Sequence, residues 1–376
     1  GSFVACPMRV LHFYRTFYPA SYGGIEQVIY QLCQGCEARG IFAEVLTLGS
    51  GERVGDTVFD TIPVHYAKTQ FRIGGAEISA SAIGRFRELA DRADLLHYHF
   101  PWPMADVAHL LASTGKPSVL TYHSDIVRQI RLYRIYRPLM HVFLRQVDRI
   151  VATSPNYLQT SPVLAQFRDK TSVIPIGLDE HNYPAADAAL LAHWRSRLPS
   201  PFFLFVGMLR YYKGLHILLD ALKGSGANVV IVGAGPIESE LKEHARREGL
   251  GNVTFMGAIP DADKIALLTL CYGVVFPSHL RAEAFGVSLL EGAMFGKPMI
   301  SSEIGTGTSH VNVGGVTGLV VPPGDAAALR GALARLLDEP ALAQQMGRNA
   351  RARYLELFQA GQMCASYAEL YRSVLR

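Results

Sequence analysis

Short apolar segments alternate with amphipathic ones along the whole chain. In the first half, we interpret the apolar segments MRVLHFY, FAEVLTL, DLLHYHF, PSVLTYH and RIVATS as buried strands. Between the first two, apolar residues recur at helical spacing from Gly24 to Arg39, and Gly40 follows as a stop signal. Such alternation predicts an α/β fold with a parallel, doubly wound sheet.

The same alternation starts again after a stretch with Pro and Gly, residues 174–201. Its apolar segments are FFLFVGM, NVVIVGAG, NVTFMG, GVVFPS, PMISSE and GLVVPP. A chain of 376 residues also exceeds what a single hydrophobic core usually organises. We therefore predict two Rossmann-like domains, residues 8–178 and 179–360, with a cleft between them.

The composition excludes several other classes of protein. Hydrophobic residues make up 49% of the chain, yet no apolar run approaches the ~20 residues of a membrane-spanning helix. The net charge of +4 is too small to indicate binding to nucleic acid. Five cysteines without a framework spacing favour a reducing, cytoplasmic compartment. Cys33 and Cys36 fall on the apolar face of the first helix, and we interpret them as core residues.

Two carboxylates flank the predicted start of a helix in the segment PSHLRAEAFGVSLLEGAMFGKPMI, residues 277–300. The helical spacing of apolar residues begins at Val287, so Glu283 falls in the preceding loop and Glu291 lies within the helix. Free backbone N–H groups at such a helix start suit a phosphate or a sugar oxygen. On the spacing alone, two solvated surface acids are the favoured alternative.

This segment resembles the signature of the family-4 retaining glycosyltransferases, which have the GT-B fold and use nucleotide sugars. The resemblance implies that Glu283 holds a hydroxyl of the donor sugar and that Glu291 binds the ribose of the nucleotide. It also implies that the residues after Glu283 offer backbone N–H groups to the donor, namely Phe285, Gly286 and Val287.

A second motif, GMLRYYKG at residues 207–214, is similar to the family's Gly-Arg-Leu-x-x-x-Lys-Gly. Met208 stands where the family has arginine, and the arginine of this chain is Arg210. The resemblance implies that Arg210 and Lys213 neutralise the diphosphate leaving group. We therefore expect no metal and no cofactor apart from the nucleotide-sugar donor. The alternative is a structural ion pair.

The first half of the chain carries two further resemblances. Gly23 and Gly24 open the first helix as the family's Gly-rich loop does, close to the donor diphosphate and the acceptor; alternatively, these glycines only make the turn. The segment Thr-Tyr-His-Ser-Asp resembles the family's Thr-x-His-Asp, whose histidine lines the active site near the donor sugar. His123 is the matching residue, although Ser124 intervenes before the aspartate.

Two more histidines, His97 and His99, lie at a strand end. We interpret both as buried, hydrogen-bonded structural residues. A zinc site formed by His97, His99 and His123 is conceivable by residue type.

Two other segments imitate motifs of different enzymes. Gly233-Ala-Gly235-Pro follows an apolar strand like the start of a dinucleotide-binding fingerprint, but Glu238 stands where the third glycine belongs. Asp261-Ala-Asp263 imitates the metal-binding Asp-x-Asp of other sugar transferases. It opens a helical pattern, however, and we interpret Asp261 as an N-cap.

Residues 125–150 carry six arginines interleaved with Ile, Leu, Tyr, Val and Phe. We predict a long helix, bent near Pro138. Such a helix either lies on an anionic membrane surface or has one solvated face.

Further resemblances suggest the domain roles and the substrate. The first domain is expected to bind the acceptor and the second the nucleotide sugar, and residues 361–376 resemble the family's last helix, which packs back on the first domain. The segment GKPMISSEIGTGTSHVN, residues 296–312, resembles bacterial O-antigen mannosyl- and rhamnosyltransferases. This implies GDP-mannose or GDP-rhamnose as donor and a polyprenyl-linked glycan as acceptor in lipopolysaccharide synthesis.

The expected protein is cytoplasmic or peripheral on the cytoplasmic face of the inner membrane. The alternatives are a GT-B-fold sugar-nucleotide epimerase or binding protein, and an NAD-dependent oxidoreductase built on the Gly233 turn.

Overall fold

Strands and helices alternate through the part of the chain that the computed structural model describes, residues 6–49, 51–73, 76–126 and 130–376. The strands, in chain order, are β1 (Met8–Phe13), β2 (Ile41–Gly49), β3 (Gly55–Phe59), β4 (Ile62–Lys68), β5 (Phe71–Ile73), β6 (Ala76–Ile78), β7 (Leu95–Phe100), β8 (Ser118–Tyr122), β9 (Arg149–Ala152), β10 (Thr171–Val173), β11 (Phe203–Val206), β12 (Val229–Val232), β13 (Val253–Gly257), β14 (Gly273–Phe276), β15 (Met299–Ser302) and β16 (Gly318–Val321).

The helices lie between these strands and at the C-terminal end. They are α1 (Gly24–Glu37), α2 (Ala80–Arg92), α3 (Pro103–Ala112), α4 (Ile130–Gln146), α5 (Pro155–Thr160), α6 (Ala188–Arg197), α7 (Leu215–Leu222), α8 (Glu238–Arg247), α9 (Asp261–Leu270), α10 (Val287–Met294), α11 (Thr308–Val311), α12 (Ala326–Asp338), α13 (Pro340–Leu357) and α14 (Ala360–Leu375). Short 3-10 helices occur at Leu164–Lys170, Glu180–Asn182 and Tyr211–Lys213. None of the helices in the described ranges has both the length and the hydrophobicity that crossing a membrane requires.

The chain separates into two compact units. The first contains the residues up to Thr153, Ser161–Gly177 and Ala360–Arg376, and the second contains Ser154–Thr160 and Leu178–Gln359. Helix α5, which the predicted boundaries assign to the first domain, therefore belongs to the second unit. The reason is local contact, because Thr160 Oγ1 donates to Gly305 O at 2.6 Å and the Arg281 guanidinium lies 4.2 Å from the centroid of the Tyr157 ring.

The main sheet of the first unit has the strand order β10-β9-β8-β7-β1-β2-β4-β3 among the described residues. Neighbouring strands are parallel except β3 and β4, and β5 pairs separately with β6. Strands β7 and β8 are buried along their whole length, as expected for parallel strands covered on both faces. The strand order reverses between β1 and β7, so their carboxyl ends form the topological switch point of this sheet.

The sheet of the second unit has the order β13-β12-β11-β14-β15-β16, and its described strands are all parallel. Its order reverses between β11 and β14, where ligands of doubly wound proteins bind. The predicted α/β class with two doubly wound sheets is confirmed.

Helix α14 packs on α1 within the first unit. Cys364 Sγ donates to Gln31 O at 3.5 Å, and Tyr371 OH lies 2.5 Å from His97 Nδ1. Cys33 and Cys36 are buried and free beside this contact, and burial raises the pKa of Cys33. A reactive thiol needs a lowered pKa, so Cys33 is a core residue.

Candidate functional site

The switch point of the second sheet brings together two loops that are distant in the sequence. The loop after β11 leads through Tyr211–Lys213 to Gly214, and the loop after β14 leads to Glu283 and α10. Gly214 allows the two loops to touch, because its φ is +72° and a Cβ atom there would lie 2.1 Å from Pro277 O. The two predicted motifs of the second unit therefore form one site.

Lys213 and Glu283 form a buried ion pair in this site. Lys213 Nζ lies 2.5 Å from Glu283 Oε2, and the exposed fractions of the two side chains are 11% and 10%. Ser278 Oγ donates to the same oxygen at 3.3 Å, and Thr306 Oγ1 donates to Glu283 O at 2.7 Å. Glu283 is therefore not a solvated surface acid.

The environment of Lys213 favours its charged form. Burial lowers the pKa of this ammonium group, but the charge and the hydrogen bond of Glu283 outweigh burial and raise the pKa above its ordinary value. Lys213 therefore stays protonated, with its charge paired to Glu283.

Helix α10 begins directly after this ion pair. Gly286 is its N-cap, no side chain caps the helix, and its first turn carries no acidic residue. The first backbone N–H groups, from Val287 onward, have no acceptor within the helix. Phe285 is buried and anchors the loop that precedes them. This helix start suits a sugar oxygen or a phosphate.

Glu291 lies one turn further along α10 and is also buried, with 4% of its surface exposed. Its Oε2 accepts a hydrogen bond from Tyr183 OH at 2.6 Å and lies 3.0 Å from Lys264 Nζ. These two contacts hold the carboxylate in one orientation. The sequence analysis missed Tyr183 and Lys264 because neither belongs to a recognisable motif.

Arg210 has a different environment from Lys213. Its Nε lies 2.9 Å from Met208 Sδ, and no carboxylate contacts it in the ranges that the structure describes. The shift of the arginine by two positions from the family pattern thus leaves it partly exposed at the start of the turn Tyr211–Lys213.

The glycines of the dinucleotide-like motif serve close packing. A Cβ atom at Gly233 would lie 1.9 Å from Gly207 O, so the turns after β11 and β12 meet backbone to backbone. Helix α8 then opens with Glu238 and Glu240 in its first turn. Carboxylates at that position oppose a pyrophosphate, which counts against a dinucleotide site here.

The Asp-x-Asp segment lies at the start of α9. The prediction of Asp261 as N-cap is wrong, because Pro260 has the extended backbone of that position and Asp261 is the first helical residue, without a side-chain cap bond. Its charge falls in the first turn, where the helix dipole favours it. Asp263 Oδ1 accepts a hydrogen bond from Trp194 Nε1 at 2.8 Å, which ties α9 to α6.

In the first unit, His123 follows β8 and belongs to a row of buried histidines. Its Nε2 lies 3.0 Å from His99 Nδ1, and His99 Nε2 lies 3.0 Å from His12 Nδ1. Burial lowers the pKa of His12 and of His123 to about 3 and holds the pKa of His99 well below its ordinary value. The three rings are therefore neutral, and sequence reasoning did not connect His12 with them.

His97 belongs to a separate part of the same cluster. It is bonded to Tyr371 OH at 2.5 Å and to Thr121 Oγ1 at 2.7 Å, as expected for a structural histidine. Among the residues that the structure describes, His12, His97 and His99 form the group whose nitrogens lie within 4.8 Å of one another and could hold a metal ion. His12 thus takes the place of His123 in the zinc set considered from the sequence. Hydrogen bonds already engage all three rings, and a metal ion would have to break them.

Gly23 is the N-cap of α1, and Gly24 is the first residue of this helix. The first turn contains Glu26, which is buried and accepts hydrogen bonds from Thr16 Oγ1 at 2.6 Å and from Ser21 Oγ at 3.5 Å. That carboxylate would repel a phosphate at this helix start, whereas it can accept a hydrogen bond from an uncharged sugar hydroxyl.

The chain matches known proteins over most of its length. A family model described as Glycosyltransferase Family 4 matches residues 22–182, and one described as Glycosyl transferases group 1 matches residues 190–353. The chain is 57% identical over 353 residues to the D-rhamnosyltransferase WbpZ of Pseudomonas aeruginosa. The aligned region covers 94% of this chain and 93% of that relative. It is 50% identical over 368 residues to the O-antigen chain mannosyltransferase C of Escherichia coli, with coverage of 98% and 99%.

Solved structures share the architecture. Sucrose-phosphate synthase from Thermosynechococcus elongatus matches with a TM-score of 0.80 and 22% identity over 98% of this chain and 99% of that one. Such a likeness shows the fold alone, and it confirms the predicted GT-B class.

Gly214→Ala should destabilise the second unit more than the control Gly257→Ala. Both residues have positive φ, +72° and +68°, where a Cβ atom costs about 1–2 kcal/mol. Nothing lies within 4 Å of a Cβ atom at Gly257, whereas one at Gly214 overlaps Pro277 O. In urea unfolding, the free energy of unfolding of Gly214→Ala should therefore be about 1–3 kcal/mol lower than that of Gly257→Ala. Equal losses would mean that the two site loops do not touch in solution.

Proposed function

This chain belongs to the family 4 glycosyltransferases, and from that premise we propose that it transfers mannose or rhamnose from a GDP-sugar to a polyprenyl-linked glycan in O-antigen synthesis. The observation that carries the proposal is the buried Lys213–Glu283 pair beside the free N-terminus of α10, at the switch point of the second sheet. The choice of sugar and acceptor is supported by the relatives, whose names specify D-rhamnosyl and O-antigen chain mannosyl transfer.

The leaving group is a nucleoside diphosphate, and its negative charge grows as the bond to the sugar breaks. Lys213 is charged and held at the site by Glu283, so it can stabilise that growing charge without reorganisation. In our proposal Arg210 adds a second, bidentate contact to the diphosphate. Because two side chains and the α10 N-terminus neutralise the leaving group, the reaction proceeds without a divalent metal.

The two glutamates act on different parts of the donor. Glu283 accepts a hydrogen bond from a hydroxyl of the sugar, next to the backbone N–H groups that follow Phe285, at Gly286 and Val287. Glu291 binds the ribose, and its orientation by Tyr183 and Lys264 is set before the nucleotide arrives. Such preorganisation favours binding because less freedom is lost when the ligand is bound.

Transfer in this proposal retains the configuration of the sugar and passes through a sugar cation. Glu283 is committed to Lys213 and is not free to act as a nucleophile. The departing phosphate instead steers the acceptor hydroxyl to the same face of the ring. His123 lies beside the donor sugar, and Gly23 and Gly24 contribute to donor binding through uncharged groups, since Glu26 opposes a phosphate there.

Helix α4 presents exposed apolar and basic side chains. Leu132 and Ile135 are 44% and 79% exposed, and Arg131, Arg134 and Arg145 are exposed with them. Apolar side chains among arginines on one face suit the boundary of an anionic bilayer. We propose that this face holds the enzyme against the cytoplasmic leaflet of the inner membrane, where a polyprenyl-linked acceptor resides.

The proposal is tested by a donor panel. In thermal unfolding, GDP and GDP-mannose should stabilise the protein more than UDP, ADP or their sugars, by ~2.7 kcal/mol at a hundred times the dissociation constant. Transfer to a lipid-linked acceptor should continue in EDTA. Selective stabilisation by UDP or NAD, or strict dependence on magnesium, would contradict the proposal. Binding without release of GDP on adding acceptor would indicate an epimerase or a binding protein.

Two matched substitutions should separate the roles of the glutamates. Glu291→Gln should mainly raise the KM for the donor and weaken binding of free GDP, because the ribose does not change during reaction. Glu283→Gln should bind GDP almost normally but lower kcat about ten- to a hundredfold, since it removes a charge-assisted bond worth about 1.5–3 kcal/mol near the developing sugar cation. Steady-state kinetics and GDP titrations measure both effects. The opposite pattern would exchange the two roles.

Membrane binding should depend on the exposed face of α4. Replacing Arg131, Arg134 and Arg145 by Gln should weaken binding to phosphatidylglycerol vesicles, each charge being worth about 1 kcal/mol. Ile135→Ser should weaken it further. Leu111→Ser provides the control, because Leu111 is 60% exposed but lies on α3, outside this face. Activity on a soluble acceptor should survive. Unchanged vesicle binding in the triple variant would leave α4 as an ordinary solvated helix.

A further inference from the structure

Three histidines form a continuous hydrogen-bonded row in the first unit, which we call the histidine relay: His12, His99 and His123. They come from the neighbouring elements β1, β7 and the residue that follows β8, and the two contacts between rings are both 3.0 Å. Each ring is buried, with at most 6% of its surface exposed. His97 stacks on His99 with a centroid distance of 4.4 Å but bonds elsewhere, so it lies outside the relay.

A row of neutral imidazoles has only two consistent arrangements of protons. A neutral ring carries one N–H donor and one bare acceptor nitrogen. If His12 Nδ1 donates to His99 Nε2, then His99 must donate through Nδ1 to His123 Nε2, and the proton of His123 is on Nδ1. The reverse arrangement leaves His123 Nδ1 bare. Any mixture places two protons or two lone pairs face to face inside the core, which is unfavourable.

The free end of the relay is His123 Nδ1. Its Nε2 is taken by His99, and no residue in the described ranges bonds to Nδ1. This is the nitrogen left for a ligand. Whether it donates or accepts a hydrogen bond is decided by His12, at the other end of the row.

We propose that His12 and His99 are positioning residues that fix His123 as the Nδ1–H tautomer, so that His123 donates a hydrogen bond to an oxygen of the donor substrate. This inference rests on the proposed function for the substrate and for the direction of the row, whereas the tautomer can be measured without substrate. The direction follows from the chemistry of the donor, because the oxygen that joins the sugar to the diphosphate gains negative charge as their bond breaks. A bare nitrogen would repel that oxygen.

The relay is tested by the ring nitrogen resonances of 15N-labelled histidine, recorded without substrate. In the wild type, His12, His99 and His123 should each show a protonated Nδ1 and a bare Nε2. His12→Phe should leave His123 exchanging between both tautomers. In His12→Asn an amide replaces Nδ1 and can still donate to His99, so the single tautomer should return. Mixed tautomers in the wild type, or an unchanged His123 in a folded His12→Phe protein, would overturn the proposal.

Kinetics supply the functional measurement. His12→Phe should lower kcat about tenfold with little change in the KM for the donor, and His12→Asn should recover most of the loss. The matched control is Tyr371→Phe, which removes a buried hydrogen bond to His97 and leaves the relay intact; its His123 resonances and kcat should stay as in the wild type. An unchanged kcat in His12→Phe would overturn the positioning role. If no nucleotide sugar is used at all, the proposed function fails while the resonances still decide the tautomer.

Discussion

The buried Lys213–Glu283 ion pair is the interaction on which the candidate site of the second unit depends. Removing a single charge from water costs several kcal/mol, and a buried pair is tolerated only when its geometry is good and its remaining lone pairs are satisfied. Here the contact is 2.5 Å and Ser278 provides a further donor. Loss of one partner would leave an uncompensated charge in the core and would lower the free energy of unfolding by about 3–5 kcal/mol. The pair therefore holds two loops together as well as presenting a cation.

The helix starts of the two units are electrostatically different. Helix α1 carries the buried Glu26 carboxylate in its first turn, whereas the first turn of α10 has no acidic residue. An anion is therefore repelled at the first and accepted at the second. This difference supports the proposal that the phosphates of the donor bind in the second unit.

One buried polar cluster of the first unit carries no charge. It consists of neutral histidines, Thr121 and the hydroxyls of Tyr367 and Tyr371 on α14. Neutral groups can be buried together at modest expense provided that every donor finds an acceptor. The same condition makes the cluster directional, because each ring has one proton to place. Helix α14 takes part in this network, so the C-terminal segment contributes to the polar core as well as to the apolar packing on α1.

Much of this protein could be predicted from its sequence because the relevant signals are local. Apolar periodicity predicted the doubly wound α/β class, the start of α10 and the positions of Glu283 and Glu291 relative to it, since neighbouring residues decide helix and strand. The cap of α9 was mispredicted at Asp261 because a proline can fill that place through its backbone alone.

Contacts between residues that are distant in the sequence could not be predicted from it. Lys213 and Glu283 are in contact although 70 residues separate them in the sequence. The corresponding separation is 108 residues for Tyr183 and Glu291 and 87 residues for His12 and His99. Such pairs depend on strand order and register, which arise only when the whole sheet is assembled, and no local pattern encodes them.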